Sequence, residues 1–313
     1  MFDAVAARRV EQGGRVMAPR AATRAELARA HDPPYLDRIA ATAGQPAMLD
    51  ADTFTSADSY DIALLAAGAA VQAACHALDH REPAFALVRP PGHHAERARA
   101  MGFCLFNNVA VAAAAAVARG LERVAVVDID VHHGNGTQSI FYEDPRVLYI
   151  STHQYPFYPG TGAADEAGAG DGAGFTFNVP LEAGATDADY DHVYRHAVVP
   201  VLDRFAPQLL LVSAGFDAHE RDPLASMRMT TAGYASIVRQ LTVVAARHGS
   251  SAFVTEGGYD LTALASCLEA SFAAIEGTAT FPETGSEKAA IPARGERALE
   301  AVRAAQAAFW RGI

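Results

Sequence analysis

The chain has 313 residues, 50% of them hydrophobic and 19% charged, with a formal net charge of -11. That is the composition of a globular enzyme with a sizeable core. The acidic balance argues against nonspecific nucleic-acid binding, which needs clustered Lys and Arg, and mildly favours cationic substrates by long-range steering.

Three cysteines, Cys75, Cys104 and Cys267, form no CxxC pair. So sparse and odd a set predicts a reducing compartment and no disulfide framework. The opening MFDAVAARRV has no apolar segment of signal-peptide length. The most apolar run, Val109 to Ala118, falls short of the ~20 residues that span a bilayer. A cytoplasmic enzyme without membrane or nucleic-acid partners is the expectation, and self-association into a homo-oligomer stays open.

Residues 1–57 carry the weakest patterns. Thr23 to Ala30 is predicted as a short helix, with Thr23 as its cap and Glu26 completing a capping box. Pro33 and Pro34 read as a break, followed by a helix from Tyr35 to Ala43. Asp58 to His80 has apolar residues at helical spacing. Ala84 to Val88 is a short strand that runs into RPPGHHAE at residues 89–96, where Pro90, Pro91 and Gly92 stiffen a turn that presents His93 and His94. GFCLFNN at 102–108 leads into an alanine-rich helix ending near Arg119, with Gly120 beyond it.

The central stretch is VAVVDIDVHHGNG, Val124 to Gly136. Its apolar opening predicts a buried parallel strand. A helical turn follows at Thr137 to Tyr142, then a strand at Val147 to Ser151. The glycine-bearing loop from His153 to Gly174 has a length that usually marks function or mobility. Phe175 to Pro180 is a strand, and Asp187 is read as the cap of a helix ending near Phe205. Leu209 to Ser213 is a strand leading into AGFDAHERDPL. Thr230 to His248 is a helix. Ala252 to Thr255 is a strand leading into EGGYD at 256–260. Helices at Leu261 to Ile275 and Glu296 to Trp310 close the chain, joined by a connector at 277–293. No repeat and no linker divides it, so residues 1–313 are expected to form a single domain. Alternating strands and helices predict one mostly parallel sheet with helices on both faces.

Buried charges identify the chemistry. In an extended chain, Asp128, Asp130 and His132 share one side, and burying them costs several kcal/mol each unless they are paired or bind a metal. His93/His94, Asp130/His132, Asp217 and Tyr259 each follow a predicted strand, and ligand sites in such sheets collect at the carboxyl ends of strands. Taken singly, the elements have plainer readings: Asp217 forms an ion pair with Arg221, and Tyr259 is a packing aromatic. Their joint occurrence points to one site. Asp130, His132 and Asp217 give a zinc ion three ligands and leave a position open, as catalytic zinc requires. A histidine can then move the proton of an attacking water, and a tyrosine hydroxyl can donate to a developing oxyanion. This combination fits amide hydrolysis.

RPPGHHAE, GFCLFNNVAVAA, DIDVHHGNGTQ, YPGTG, SAGFDAHERDPL and EGGYD, in this order over residues 84 to 275, resemble the zinc-dependent histone deacetylase family, including its bacterial deacetylase-like and acetylpolyamine amidohydrolase members. The resemblance implies a three-layer arginase/deacetylase-like α/β fold around a central sheet of about eight strands. It implies zinc (or Fe²⁺) on Asp130, His132 and Asp217. It makes His94 the general base and acid, His93 an electrostatic or proton-donating partner, and Tyr259 the group that polarises the carbonyl. Asp128 orients His93, and Asn135 orients His94 where many nuclear relatives have aspartate, a variant similar to the class II and bacterial branch. It further implies a structural potassium ion held by Asp128, Asp130 and His132, partly through backbone carbonyls, and by Ser151. Gly102, Phe103 and Tyr158 would line an acyl-lysine tunnel with Leu224 near its rim. A leucine there, in place of an acidic residue, favours an acetylated lysine side chain over an acetylated polyamine. Relatives usually begin with a strand and a His-Pro-Glu segment. None is found here, so the chain is expected to lack that strand and a loop at the tunnel mouth.

Two other classes are set against this. An arginase-like enzyme with two metals needs further carboxylates; by resemblance those fall where Gly134 and His219 stand. A non-catalytic acyl-lysine-binding protein would not need every catalytic position filled. Within the amidohydrolase class, acetylpolyamines and other small acylamines are the rival substrates.

Overall fold

The structure, a computed structural model, describes residues 1–279 and 292–313. Most of the connector at 277–293 therefore lies outside the described residues. Helices α1 (Phe2–Glu11), α2 (Arg24–Leu27) and α3 (Pro33–Ala40) precede a small antiparallel hairpin of β1 (Ala47–Met48) and β2 (Phe54–Thr55), and α4 (Ser59–His80) follows. Then come β3 (Ala84–Ala86), α5 (Asn108–Ala118), β4 (Val124–Asp128), α6 (Asn135–Phe141), β5 (Val147–Gln154) and β6 (Thr176–Leu181). The rest is α7 (Asp187–Val193), α8 (Val199–Phe205), β7 (Leu209–Ala214), α9 (Thr231–His248), β8 (Ser250–Thr255), α10 (Leu261–Ile275) and α11 (Ala293–Gln306).

Six strands form one parallel sheet in the order β3-β8-β7-β4-β5-β6. The pleat divides each strand between two cores. Val124 and Val126 of β4 pack with Leu209, Leu211, Ala252 and Val254 on the side of α4 and α5. Ala125 and Val127 pack with Leu210, Val212 and Phe253 on the side of α9 and α10. Each buried Val or Leu in these layers contributes about 1.5–3 kcal/mol of transfer free energy. A strand covered on both faces needs apolar residues at every position, which is why β4 reads as an unbroken run.

The six strands read from apolar runs are the six in the sheet, whereas the eight implied by resemblance are not found among the described residues. Before Ala84 the chain adds no strand to this sheet: its long apolar run at residues 62–71 lies within α4. It forms helices and the hairpin instead. Pro33 and Pro34 do not break a helix; they occupy the first turn of α3, where an N–H has no intrahelical acceptor to lose. The cap of α7 is Thr186, in a capping box with Asp189, rather than Asp187, whose carboxylate accepts from the Thr230 N–H and hydroxyl. A π-turn at Tyr194–Val198 joins α7 to α8. Strand β5 runs to Gln154, because Thr152, His153 and Gln154 pair with Val179, Pro180 and Leu181. By length and hydropathy α4 could cross a membrane, but half of it is buried inside the fold, against α5 and the sheet.

A buried histidine bonded to the loop after β3 gives a testable property of this framework. Nε2 of His31 accepts the Asn107 N–H at 2.9 Å, so Nδ1 carries the hydrogen donated to the Glu96 carbonyl, also at 2.9 Å. Burial holds His31 down to about 4 from 6.5. The folded pKa lies below the unfolded one, so the full contribution is present above pH 6.5 and is lost as pH falls toward 4. Between pH 7.5 and 5 that loss is about 2 kcal/mol. In urea unfolding, His31→Gln should flatten the fall in stability over this interval by about that amount, and an unchanged pH dependence would refute the assignment.

Candidate active site

Four neighbouring strands, β3, β8, β7 and β4, are parallel, so their carboxyl ends open on one edge. The loop after β3 carries His93 and His94, that after β8 carries Tyr259, that after β7 carries Asp217, and that after β4 carries Asp130 and His132. Residues far apart in the chain thus meet in one place.

Asp130, His132 and Asp217 are buried, with one ligand atom from each within 4.8 Å of the others; they are the one such group among the described residues. Nδ1 of His132 lies 3.1 Å from Asp130 Oδ1 and 3.2 Å from Asp217 Oδ2. The nitrogen bonds to Asp130, and Asp217 Oδ2 has no hydrogen-bond partner among the described residues. The second Asp217 oxygen accepts the Val131 N–H at 2.8 Å, and Asp130 Oδ2 accepts the Gly257 N–H at 2.8 Å. Burial opposes the charged form of His132, but Asp130 and Asp217 outweigh it and raise its pKa to about 10. Burial and the Asp130 charge together push Asp217 up. Burial would also raise Asp130; the charge of His93 and the contacts of His132 hold it down. Two carboxylates against one imidazolium leave surplus negative charge in a dry site, and the orphaned Asp217 oxygen is where it falls. This donor set, carboxylates and an imidazole with no thiolate, fits a divalent cation of the zinc type. The ion pair with Arg221 is not formed: Arg221 joins Asp260, at 3.2 Å, and Asp217 is fully buried.

His93 and His94 stand beside this group, ring centroids 4.0 Å apart. Nδ1 of His93 meets Asp128 Oδ2 at 2.9 Å. Burial would lower His93, but the charges of Asp128 and Asp130 raise it well above its ordinary value; burial also raises Asp128. The 2.9 Å contact is therefore one between a protonated His93 and Asp128. Nδ1 of His94 meets Asn135 Oδ1 at 2.8 Å, and the Asn135 amide donates to Glu96 at 2.8 Å. The carboxylate acceptor fixes the orientation of the Asn135 amide, so Nδ1 of His94 carries the hydrogen and Nε2 is left with its lone pair. Burial, then the charge of His93, pushes His94 well below its ordinary value.

The cavity in front of these groups measures about 220 Å³ and is lined by His93, His94, Asp130, His132, Tyr259 and the predicted Gly102, Phe103, Tyr158 and Leu224. Phe103, Tyr158 and Leu224 are 39%, 39% and 44% exposed, as residues at a mouth should be. Gly102 has φ +57, and a Cβ there would come within 2.3 Å of the His94 ring; only glycine lets the wall approach so closely. A Cβ at Gly257 would meet Asp217 Oδ2 at 2.1 Å. Burial pushes the Tyr259 phenol up, which keeps it a hydrogen donor. Ser151 stands opposite Asp128 in the β4–β5 register, with its hydroxyl 2.9 Å from His153 Nδ1.

Sequence reasoning missed several members. Asp52, in the hairpin turn, lines the cavity and accepts the Gly102 N–H at 3.3 Å. Phe157 stacks on His132, centroids 5.4 Å apart at 17°. Glu256 accepts the Gly92 and His93 N–H groups at 2.6 and 3.2 Å and the Ser213 hydroxyl at 2.8 Å, and so holds the two-histidine turn; burial pushes it up to about 7. The ERDPL and EGGYD motifs contained Asp222 and Glu256, but nothing in them says which backbone a carboxylate will meet.

Comparison with known proteins agrees with this geometry. Residues 1–275 match the histone deacetylase domain. A probable deacetylase of Archaeoglobus fulgidus is 42% identical over 249 residues, 79% of this chain and 69% of that one. Human polyamine deacetylase HDAC10 is 38% identical in an alignment covering 100% of this chain but 48% of its own, so the chain spans about half that relative's length. The crystal structure of the HDA15 HD domain matches with a TM-score of 0.89 at 38% identity, covering 98% of this chain and 86% of that one. A match over nearly the whole chain, on a parallel sheet whose strand ends assemble the motif residues, establishes that the protein belongs to the histone deacetylase family.

Proposed function

We propose that this protein is a zinc-dependent amidohydrolase that removes acetyl groups from lysine side chains. One observation carries the reading: Asp130, His132, the His93–His94 pair and Tyr259 border one cavity, and Asp217 completes the buried triad against His132, at 3.2 Å. Zinc held by the triad would supply Lewis acidity, acidifying a water and polarising the acyl carbonyl. The chain's own groups do the rest. Nε2 of His94, its lone pair free, takes a proton from the attacking water and returns it to the leaving amine. Asn135 and Glu96 hold the ring for that exchange. His93, kept protonated by the charges of Asp128 and Asp130, places an imidazolium beside the reacting carbonyl. Tyr259 donates to the acyl oxygen as charge develops on it. Potassium on Asp128, Asp130, His132 and Ser151 belongs to the same reading; its support is that Asp128 and Ser151 stand side by side in the β4–β5 register, with Asp130 and His132 following directly.

A second metal has little to support it. A side chain at Gly134 would start 2.3 Å from Asp128 Oδ2, leaving no room for a bridging carboxylate. His219 instead accepts the Arg221 N–H. For the substrate, Leu224 at the rim supports acyl-lysine. Asp52 at the mouth and the 38% identity to a polyamine deacetylase support an acetylated polyamine. A turnover panel decides: acetyl-lysine peptides should exceed acetylputrescine and acetylspermidine in kcat/KM, with one zinc per chain in the same sample, and the reverse order would replace the substrate. A hydroxamate should abolish turnover by chelation; amidase activity that survives saturating hydroxamate would remove zinc from the reading.

A further inference from the structure

The two loops that carry the mouth residue Leu224 and the phenol of Tyr259 leave different strands, β7 and β8. One carboxylate joins them. Asp222 is nearly fully buried, with 7% of its surface exposed. Its Oδ2 accepts two successive backbone N–H groups, from Tyr259 at 2.7 Å and Asp260 at 3.3 Å. Its Oδ1 accepts the Leu224 N–H at 3.0 Å. Within its own loop the Asp222 N–H closes a turn by donating to the His219 carbonyl at 2.8 Å.

We infer that Asp222 is a positioning residue: it sets where the Tyr259 hydroxyl stands in the cavity and ties that position to the Leu224 rim. This rests on the reading of Tyr259 as the donor to the acyl oxygen. The physical case is the acceptor count. A carboxylate offers acceptor sites on both oxygens, whereas an asparagine amide offers one acceptor oxygen and one NH₂. Whichever way the amide of the Asp222→Asn variant turned, its NH₂ would oppose a backbone N–H donor. One loop would lose its anchor, and a buried N–H would be left unpaired. The nearest preceding anchor is Gly257, whose N–H Asp130 accepts at 2.8 Å and whose carbonyl accepts the Phe216 N–H at 2.9 Å; Gly258, with φ +143, lies between it and Tyr259. Of the other ties between the loops, Phe216 N–H to the Gly257 carbonyl at 2.9 Å lies before Gly258, and Arg221 to Asp260 at 3.2 Å lies at the surface; neither is made by Tyr259. A misplacement of about 1 Å in a reacting group is enough to cost up to ~10²-fold in rate.

The test is Asp222→Asn in the zinc-loaded enzyme, read by hydrogen exchange and by turnover of an acetyl-lysine peptide. Exchange should quicken in peptides covering residues 256–260 and stay at the wild-type rate in β4 and β7. The kcat should fall roughly tenfold to 10²-fold in the wild-type background and hardly at all in a Tyr259→Phe background, because a residue that acts through the hydroxyl has nothing left to position. Asp222→Ser, whose single oxygen cannot reach both loops, should behave alike and stands in if the asparagine variant does not fold. Arg221→Gln should leave exchange and kcat near wild type. Unchanged exchange at 256–260, or a kcat loss equally large in both backgrounds, overturns the inference. Wild-type turnover in Tyr259→Phe alone would overturn the reading of Tyr259 instead, and the exchange rates would still decide the anchor.

Discussion

Asp217→Asn should reverse the order of stability between metal-free and zinc-loaded protein. Without metal, Asp217 and Asp130 are two buried carboxylates sharing one imidazole, and burial and Asp130 together raise Asp217. A raised acid pKa means that the folded state keeps a proton the unfolded chain gives up, so metal-free wild type loses stability as pH rises from about 4 toward neutrality. Asparagine has no such proton and keeps the oxygen that accepts from Val131. The metal-free variant should therefore melt higher than metal-free wild type at pH 7, and the gap should shrink toward pH 4. Adding zinc should invert the order. A ligand at a thousand times its Kd stabilises by about 4 kcal/mol, and the variant, with a neutral amide in place of one ligand, should gain little of it. Outer-shell partners of metal ligands already cost roughly 10–100-fold in metal affinity or activity when removed, so loss of a direct ligand should cost at least ~10²-fold in kcat/KM. Metal analysis, melting curves with and without chelator, and turnover check the three parts. Equal zinc content and activity in the two proteins would discard the triad.

The legible and illegible parts of this site differ in the range of their interactions. Strand β4 could be read because a doubly covered strand must be apolar throughout, and Asp128, Asp130 and His132 stood out because a buried charge needs a reason. The six strands were legible on the same ground; the eight taken from resemblance had no matching apolar runs. Asp52 was not legible, since an aspartate in LDADTF looks like any loop acid until the hairpin folds against Gly102. Glu256 and Asp222 were hidden for a stronger reason. Their partners are backbone N–H groups of loops distant in the chain, and a backbone amide leaves no mark in a sequence. The motif EGGYD illustrates the division. Tyr259 could be picked out by its chemistry, yet the other positions hold it in place: Glu256 fixes the histidine turn, Gly257 supports Asp130, and Asp260 caps α10.

Tyr259→Phe should lower kcat by ~10²–10³ while leaving zinc content and KM close to wild type. The substitution removes one oxygen and little else. The ring keeps its edge contact with Phe103, centroids 6.2 Å apart, and Arg89 stays over its face at 5.9 Å. The backbone keeps its bond to Asp222, because that bond uses the N–H. What is lost is a donor that acts most strongly where charge develops; such a donor contributes about 2.7–4 kcal/mol to the transition state. A loss confined to kcat marks an interaction made in the transition state rather than in binding. Burial pushes the phenol up, so it stays protonated across the working range and should contribute no alkaline limb to the pH profile. The profiles of wild type and variant should then have the same shape at different heights. A change of shape would mean that Tyr259 titrates during turnover. Unchanged turnover would remove it from the chemistry, and the donor would have to be sought in the His93 imidazolium.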